Sequence, residues 1–397
     1  MRKIISLFAA GCIILSMAGC REASKSASSS DGVAAAVGSS VSGTSSSKDS
    51  SEEESTIRIE STVSEETKFG WAIVNLSPEE MEDAGFTLGD SCDILFEDGY
   101  AINDVPYYNG YYVKNADPVI VAYPGNENIS ITYNNIGIWD QAGLTEGEAV
   151  TITLNTAGKY SDIQEVLGQS YSFDREDYPS AESFCNFRAL SGGNLKEDYF
   201  YRGASPVDSS RGRAPYTDTL IKDAGIQFII DLADSEEDME GYMAQEDFDS
   251  PYAASLYENG QIILLDMSVD YQSQAYKEKV AEGFRTILTN EGPFYIHCTE
   301  GKDRAGFVCL ILEALAGADQ EELKDDYMMS YYNYYGVSPE KTPEKYKAIR
   351  ELYFDAFTEF LSEEDAEKDF TQGAVRYLLE GGMTEEEVTA LQQIICR

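Results

Sequence analysis

A histidine and a cysteine stand side by side in the stretch FYIHCTEGKDRAGF, residues 294 to 307. His297 is the only histidine of the 397-residue chain, and Arg304 follows Cys298 by six positions. A cysteine thiolate is a strong nucleophile, and an arginine guanidinium can bind two phosphate oxygens at once. This spacing therefore indicates attack by cysteine on phosphorus, with arginine holding the phosphate.

The sequence on either side of this stretch predicts how its residues are positioned. An apolar strand, PFYIHC, ends at Cys298, and a helix is predicted over residues 305–316, so CTEGKDR is a tight strand-to-helix loop. The backbone N–H groups of such a loop form an anion-binding nest, with the helix N-terminus behind them. Gly301 provides a position where the backbone can adopt positive φ and approach a ligand closely. The nest and Arg304 are together expected to stabilise the Cys298 thiolate.

The loop resembles a known signature. HCTEGKDRAG is similar to the His-Cys-x5-Arg motif of cysteine-based phosphatases, and its Lys-Asp pair before the arginine resembles a bacterial tyrosine-phosphatase-like group. Further segments agree with that group in order along residues 180–395: NFRALSGG (186–193), YFYRGASP (199–206), IIDLADSEE (229–237) and DDYMMSY (325–331). The resemblance implies a cysteine-phosphatase fold and a phosphocysteine intermediate, with no cofactor.

The resemblance also implies roles for the residues around the nucleophile. His297 is expected to hydrogen-bond the loop backbone and to shape the environment of the cysteine, without acting as its base. The residues expected to contact substrate are those inside the loop: Thr299, Glu300, Gly301 and Lys302.

A general acid must protonate the leaving oxygen, and no Trp-Pro-Asp loop precedes the signature to provide it. Asp303 is the first candidate because it lies in the loop itself and its relatives suggest that it can serve. Asp266, 32 residues before Cys298 at a strand end, is the alternative, and Asp270 is a third candidate.

Three positions depart from the pattern of this phosphatase group. Ala189 stands where Asp is usual, and Ala233 stands where an arginine is frequent. Ala305 replaces the usual Ser or Thr, whose hydroxyl stabilises the leaving thiolate when the phosphoenzyme is hydrolysed. The last departure predicts slow turnover.

The N-terminus resembles a bacterial lipoprotein signal. Residues 1–19 combine a basic start with a short apolar core, and Met-Ala-Gly leads into Cys20. Lipid chains on Cys20 would anchor the protein to the outer face of the cell membrane. Residues 20–66 are rich in serine and glutamate, which predicts a flexible tether.

The rest of the chain is expected to form two domains. Residues 67–157 contain short alternating runs separated by Gly, Asn and Asp, which predict a small, mostly antiparallel β domain, barrel-like in form. Its cluster DVPYYNGYY (104–112) is either a binding surface or, by preference, strand packing. In residues 158–397 strands alternate with helices, which predicts an α/β domain with a mainly parallel sheet. The predicted strands include residues 228–232, 261–267 and 293–298, and one of the predicted helices covers residues 343–361.

The composition of the chain excludes some classes of binding partner. The formal charge is −42, and nucleic-acid binding needs a basic surface, so no nucleic acid is expected. Seven cysteines without a Cys-x-x-Cys motif, beside one histidine, argue against a metal site. The leading function is an extracellular protein tyrosine phosphatase-like phosphomonoesterase. The alternatives are a phosphoinositide or inositol-phosphate phosphatase, disfavoured because Glu300 would repel a second phosphate, and a surface binding lipoprotein with a weakly active phosphatase domain.

Overall fold

The computed structural model describes residues 57–168, 171–362 and 369–397. The predicted signal peptide, Cys20 and most of the predicted tether lie outside the described residues. None of the helices in the described part of the chain has the length and apolar character needed to span a bilayer.

Seven strands form a closed barrel in the order β1-β2-β6-β5-β4-β3-β7, with β7 pairing back to β1. All the neighbouring pairs are antiparallel except β4 with β5. This confirms the predicted barrel. The strands are β1 Arg58–Glu66, β2 Ala72–Val74, β3 Ser91–Phe96, β4 Ala101–Tyr108, β5 Pro118–Val121, β6 Ser130–Tyr133 and β7 Ala149–Thr156.

The first strand corrects the predicted extent of the tether, which was placed over residues 20–66. β1 pairs with β7 along residues 58–62, and Val63 is fully buried in the barrel. Serine and glutamate dominate β1 because one face of this barrel strand is exposed to solvent. Its few apolar residues on the other face were too sparse to reveal the strand by composition.

The second sheet has five strands in the order β11-β10-β12-β9-β8. The first four are parallel, and β8 pairs antiparallel with β9 at the edge. The strands are β8 Arg188–Ala189, β9 Phe200–Gly203, β10 Phe228–Asp231, β11 Ile262–Leu264 and β12 Phe294–His297. Strands were predicted at the positions of β10, β11 and β12.

Helices surround both sheets. Two short ones belong to the barrel, and the others pack on or beside the parallel strands. They are α1 Pro78–Asp83, α2 Trp139–Ala142, α3 Ser161–Leu167, α4 Ala181–Phe184, α5 Ala214–Asp223, α6 Glu236–Met243, α7 Pro251–Glu258, α8 Gln274–Thr289, α9 Asp303–Leu315, α10 Gln320–Tyr335, α11 Pro343–Ile349, α12 Asp355–Ser362, α13 Phe370–Glu380 and α14 Glu385–Ile395.

Two helical features matter for the site. Every residue of α9 from Ala305 to Leu315 is buried, so this helix lies inside the fold and holds its N-terminus rigidly behind the loop. The single helix predicted over 343–361 is instead two helices joined by a π-helical turn, Arg350–Phe354. The extra residue in that turn does not disturb hydrophobic periodicity enough to be seen in sequence.

The barrel and the α/β part share a hydrophobic core. Tyr108 and Val121, from neighbouring barrel strands, belong to the same buried cluster as β12 and α9. The barrel is therefore packed directly on the part of the chain that contains Cys298.

Candidate active site

Cys298 directly follows β12, and α9 begins five residues later at Asp303, two residues before the predicted start of the helix. The side chain is at the base of a cavity and the residue is only 3% exposed. The other loop residues that line this cavity are Thr299, Glu300, Lys302, Asp303 and Arg304.

The carbonyl groups of loop residues 299–301 all point toward the surrounding protein. The carbonyl of Thr299 accepts a hydrogen bond from the backbone N–H of Ser205 at 3.1 Å. The next carbonyl, that of Glu300, accepts from the Tyr334 hydroxyl at 2.6 Å. The carbonyl of Gly301 accepts from Asn186 Nδ2 at 3.0 Å and from Arg202 Nη2 at 2.8 Å. Surrounding protein therefore binds the outer side of the loop.

This orientation sets the direction of the amides. In a planar trans peptide the N–H points opposite to the preceding carbonyl, so the N–H groups of residues 300–302 face away from the bracing side chains. Across residues 57–168, 171–362 and 369–397, no acceptor is found for them. They form the nest for an anion that the sequence predicted.

Gly301 is required for a reason that differs from the prediction. Its φ is +65°, as expected, but a Cβ at this position would lie 2.0 Å from the carbonyl oxygen of Gly203 in β9. The close approach is thus to the neighbouring strand, and Gly301 is not among the residues that line the cavity. This backbone contact fixes the loop to β9. The contact of Gly301 with substrate, through its backbone N–H in the nest, stays a prediction.

A buried ionic network braces the loop from outside. Arg202 Nη1 lies 2.5 Å from Asp326 Oδ2, and Arg188 Nε lies 2.6 Å from Asp326 Oδ1. Burial raises the pKa of Asp326, but the two guanidinium groups outweigh it, so the pKa is lowered overall. Ser330 joins the network by accepting from Asn186 Nδ2 at 3.0 Å. These residues explain the segments NFRALSGG, YFYRGASP and DDYMMSY, whose presence was noted in the sequence without a role.

Arg304 is held at the mouth of the nest. Its Nη2 donates to the Thr299 hydroxyl and its Nη1 to the carbonyl of Met267, both at 3.3 Å. The guanidinium also lies 5.4 Å from the centre of the Phe69 ring, which comes from the barrel. This position beside Cys298 suits the predicted role in binding phosphate.

His297 is buried beneath the loop and is not part of the cavity wall. Its Nδ1 is 3.4 Å from the carbonyl of Cys298, and its Nε2 is 3.7 Å from Asp231 Oδ2. Burial lowers the pKa of His297 to about 4, so the ring is neutral at pH 7. The structure thus places His297 where it supports the loop backbone, as expected, and away from solvent.

Lys302 and Glu300 form a charged cluster on one side of the loop. Lys302 Nζ donates to the Tyr335 hydroxyl at 3.1 Å and lies 3.8 Å from Glu300 Oε2. The Glu300 carboxylate also accepts a hydrogen bond from the Tyr171 hydroxyl. Burial raises the pKa of Glu300, yet Lys302 and the Tyr171 hydroxyl outweigh it and the pKa is lowered. Glu300 is therefore ionised, and its charge is partly compensated.

The barrel provides one wall of the cavity, which has a volume of about 310 Å³. Phe69 and Trp71 come from the turn between β1 and β2, and Tyr111 comes from the connection after β4. Sequence reasoning missed this contribution because it treated the barrel separately. The cluster DVPYYNGYY contained part of the signal: Tyr107 and Tyr108 are buried packing residues, whereas Tyr111 and Tyr112 line the cavity.

Comparison with known proteins identifies the α/β part. A family model described as "Tyrosine phosphatase family" matches residues 179–397, which is more than half of the chain. The chain belongs to the tyrosine phosphatase family.

Individual relatives of this family member are distant. A protein of Cupriavidus necator named "Putative tyrosine-protein phosphatase" is 26% identical over 165 residues, which are 38% of this chain and 60% of the relative. The chain therefore matches less than two thirds of that relative's length.

Two solved structures are similar to parts of this chain. The core catalytic domain of the PP-IP phosphatase SIW14 from S. cerevisiae, in complex with citrate, is 16% identical. The match covers 45% of this chain and 93% of that domain, with a TM-score of 0.27. An uncharacterized conserved protein from Thermotoga maritima is 12% identical over 24% of this chain and 35% of its own, with a TM-score of 0.21.

Within this family member the two main candidates for general acid are placed differently. Asp303 lines the cavity, and its carboxyl is 62% exposed and 3.7 Å from Lys302 Nζ. Although the carboxyl is open to the cavity, the many protein atoms around the cavity raise the pKa of Asp303, a shift that Lys302 opposes and Glu300 reinforces. A raised pKa keeps the carboxyl protonated, and thus able to donate, at higher pH.

Asp266 lies outside the cavity, which argues against it as the alternative general acid. Its carboxylate accepts a hydrogen bond from Lys68 Nζ at 3.2 Å, and it lines a separate surface depression with Lys279. Asp270, the third candidate, is also absent from the cavity wall. The structure therefore brings only Asp303 of these three to the loop.

A side chain of the barrel also contacts Ala233, one of the three positions that depart from the pattern of the phosphatase group. The Lys68 ammonium donates to the carbonyl of Ala233 at 2.5 Å, so a cation from the barrel approaches the strand end where the phosphatase group often has arginine. Ala305, the other departure close to the loop, is fully buried at the start of α9.

Among the residues that the structure describes, no group of three or more His, Cys, Asp or Glu side chains is arranged to hold a metal ion.

Proposed function

We propose that this chain is a cysteine-dependent phosphomonoesterase whose first substrate class is phosphotyrosine. One observation carries the proposal: Cys298 lies beneath inward-facing backbone N–H groups, beside Arg304, in a cavity with aromatic walls. The nest and the guanidinium complement the three phosphate oxygens, and aromatic side chains complement an aryl leaving group.

The first chemical step transfers the phosphoryl group to sulfur. The Cys298 thiolate attacks phosphorus, and the bond between phosphorus and the leaving oxygen breaks. Arg304 and the backbone N–H groups stabilise the charge on the equatorial oxygens. Asp303 donates its proton to the leaving oxygen, so the alcohol or phenol departs neutral.

The second step restores the enzyme. Water attacks the phosphocysteine, the Asp303 carboxylate takes a proton from it, and inorganic phosphate and the Cys298 thiolate are released. Ala305 offers no hydroxyl to the departing thiolate, which supports slow turnover in this step.

The charges around the loop support a substrate with one phosphate. Glu300 is ionised and lines the cavity, so a second phosphate beside the first would meet a carboxylate. A phosphoinositide or inositol-phosphate phosphatase remains the alternative within enzymes. A surface binding lipoprotein is the alternative outside them.

We also propose that the protein is anchored by lipid on Cys20 to the outer face of the bacterial membrane. The support is the sequence Met-Ala-Gly-Cys at residues 17–20 after a basic and apolar start. Phosphorylated proteins or small phosphomonoesters outside the cell would then be its substrates.

Hydrolysis of phenyl phosphate by the full chain, compared with Cys298→Ser, tests the enzymatic proposal. We expect at least a thousandfold loss of kcat, since serine is not ionised by this loop and removal of a nucleophile has effects of about this size. Residual activity above about a tenth of wild type would contradict the cysteine mechanism. A wild-type protein that binds aryl phosphates without hydrolysing them would favour the binding lipoprotein.

A further inference from the structure

The barrel side of the cavity carries a continuous row of rings that begins at the catalytic arginine. The Phe69 ring lies under Arg304, 4.9 Å from Trp71, which is in turn 4.9 Å from Tyr111. Tyr123 follows at 6.1 Å from Tyr111. We refer to Phe69, Trp71, Tyr111 and Tyr123 as the aromatic row.

Polar atoms without partners occur in the same cavity. Trp71 Nε1, Asn115 Oδ1 and Arg211 Nε are buried and have no hydrogen-bond partner among the described residues. All three residues line the cavity. Buried polar groups in folded proteins are nearly always satisfied, so each such exception requires an explanation.

Folding alone does not explain them. Trp71 belongs to the packed aromatic row, and its indole could be turned only by disturbing the rings on either side. An unpaired buried donor or acceptor costs free energy, and a purely structural wall would be built more stably from Phe and Leu. A bound molecule that supplies an acceptor to Trp71 and a donor to Asn115 removes that cost.

We infer that the barrel forms half of the substrate site and selects the part of the substrate beyond the phosphate. The inference rests on the proposed function and specifies its substrate class: an aryl phosphomonoester that carries both a hydrogen-bond donor and an acceptor beyond its ring. The main-chain amides of a phosphotyrosine residue have this chemistry. The ring packs along the aromatic row, Trp71 Nε1 donates to a carbonyl, and Asn115 Oδ1 accepts from an N–H.

The size of the cavity agrees with a ligand of this kind. Pockets for small molecules usually range from about 300 to 1,000 Å³, and this cavity, at about 310 Å³, is at the lower limit. It has room for one aromatic ring with short substituents.

The test compares two ligands in the full chain carrying Cys298→Ser, so that binding is measured without turnover. The ligands are N-acetyl-O-phosphotyrosine amide, which has the distal amides, and phenyl phosphate, which lacks them. Calorimetry gives the ratio of their dissociation constants. We expect the amide to bind at least tenfold more tightly.

Trp71→Phe keeps a ring and removes the donor, and Asn115→Ala removes the acceptor. Each should reduce that ratio by about 3- to 10-fold, the usual effect of one lost hydrogen bond. The matched controls are Trp139→Phe, in α2 and packed against the barrel core, and Asn155→Ala, on the outside of β7. Neither of these residues lines the cavity, and neither variant should change the ratio.

The outcomes separate the two proposals. An unchanged ratio in Trp71→Phe and Asn115→Ala would overturn the inference, as would equal binding of the two ligands, because water would then satisfy these atoms. Failure of the wild type to hydrolyse either compound would overturn the proposed function and leave the binding ratio readable.

Discussion

Replacement of Gly301 by alanine should disable the enzyme through geometry alone. The new Cβ would lie 2.0 Å from the carbonyl oxygen of Gly203, whereas real Cβ atoms essentially never approach closer than 3.0 Å. The two groups must therefore separate by about 1 Å. Gly203 is held in β9 by its register with His297 of β12, so the loop has to move.

Movement of this size has a predictable effect on rate. A displacement of about 1 Å of catalytic groups can cost about a hundredfold in rate, and the bond from Arg202 to the carbonyl of Gly301 would be strained as well. We expect kcat for phenyl phosphate to fall by about 100-fold in Gly301→Ala.

A second glycine provides a matched control. Gly225, in the turn before β10, has φ +68° and nothing within 4 Å of its would-be Cβ. Alanine in this left-handed conformation costs about 1–2 kcal/mol, so Gly225→Ala should be destabilised by that amount and keep wild-type kcat. Steady-state kinetics and urea unfolding of both variants provide the comparison. A folded Gly301→Ala enzyme with kcat within threefold of Gly225→Ala would refute the argument that contact with β9 shapes the loop.

Three further predictions concern Asp303 as the general acid, the buried ionic network at Asp326 and the lipid anchor on Cys20. Asp303→Asn should slow hydrolysis of phosphotyrosine by about 10²- to 10⁴-fold and of an activated nitrophenyl ester by less, since only the poor leaving group needs a proton. An acid works while protonated, so the wild-type rate should fall as pH rises through the raised pKa of Asp303, and the variant should lose this limb in a pH profile. Asp326→Asn leaves two buried guanidinium groups without their carboxylate and should cost about 3–5 kcal/mol in denaturant unfolding. Cys20→Ala should release the protein from membranes into the medium, as measured by fractionation.

Each of these has a contrary outcome. Equal slowing of both substrates in Asp303→Asn would assign that residue to positioning Lys302. A loss below about 1 kcal/mol in Asp326→Asn would mean that solvent already reaches the network. A wild-type protein found wholly in the soluble fraction would contradict the lipid anchor.

The loop was predictable because its determinants are local. Residues 294–307 contain the end of a strand at Cys298, a glycine three residues later and the start of a helix. The supporting residues were visible only as motifs, because the role of Arg202 or Asp326 emerges when distant segments meet. The choice of Asp303 over Asp266 likewise needed coordinates, since the two carboxylates look alike in sequence.

The barrel's part in the site could not be predicted for the same reason. Its strands follow from alternation and turn residues, but the contact of Lys68 with Ala233 joins positions 165 residues apart. The hydrophobic periodicity of the sequence does not indicate which distant residues come into contact. β1 was missed because a solvent-facing strand rich in serine and glutamate has the composition of a linker.

The brace around the loop has a consequence for protein engineering and for folding. Asn186 and Ser330, which meet beside Gly301, are 144 positions apart. Grafting residues 297–304 onto another scaffold would transfer the reactive side chains without the hydrogen bonds that hold the loop in its curved conformation. The nucleophile also precedes α10 in the chain, so a folding chain cannot acquire activity until the segment that carries Asp326 and Ser330 has packed against the loop.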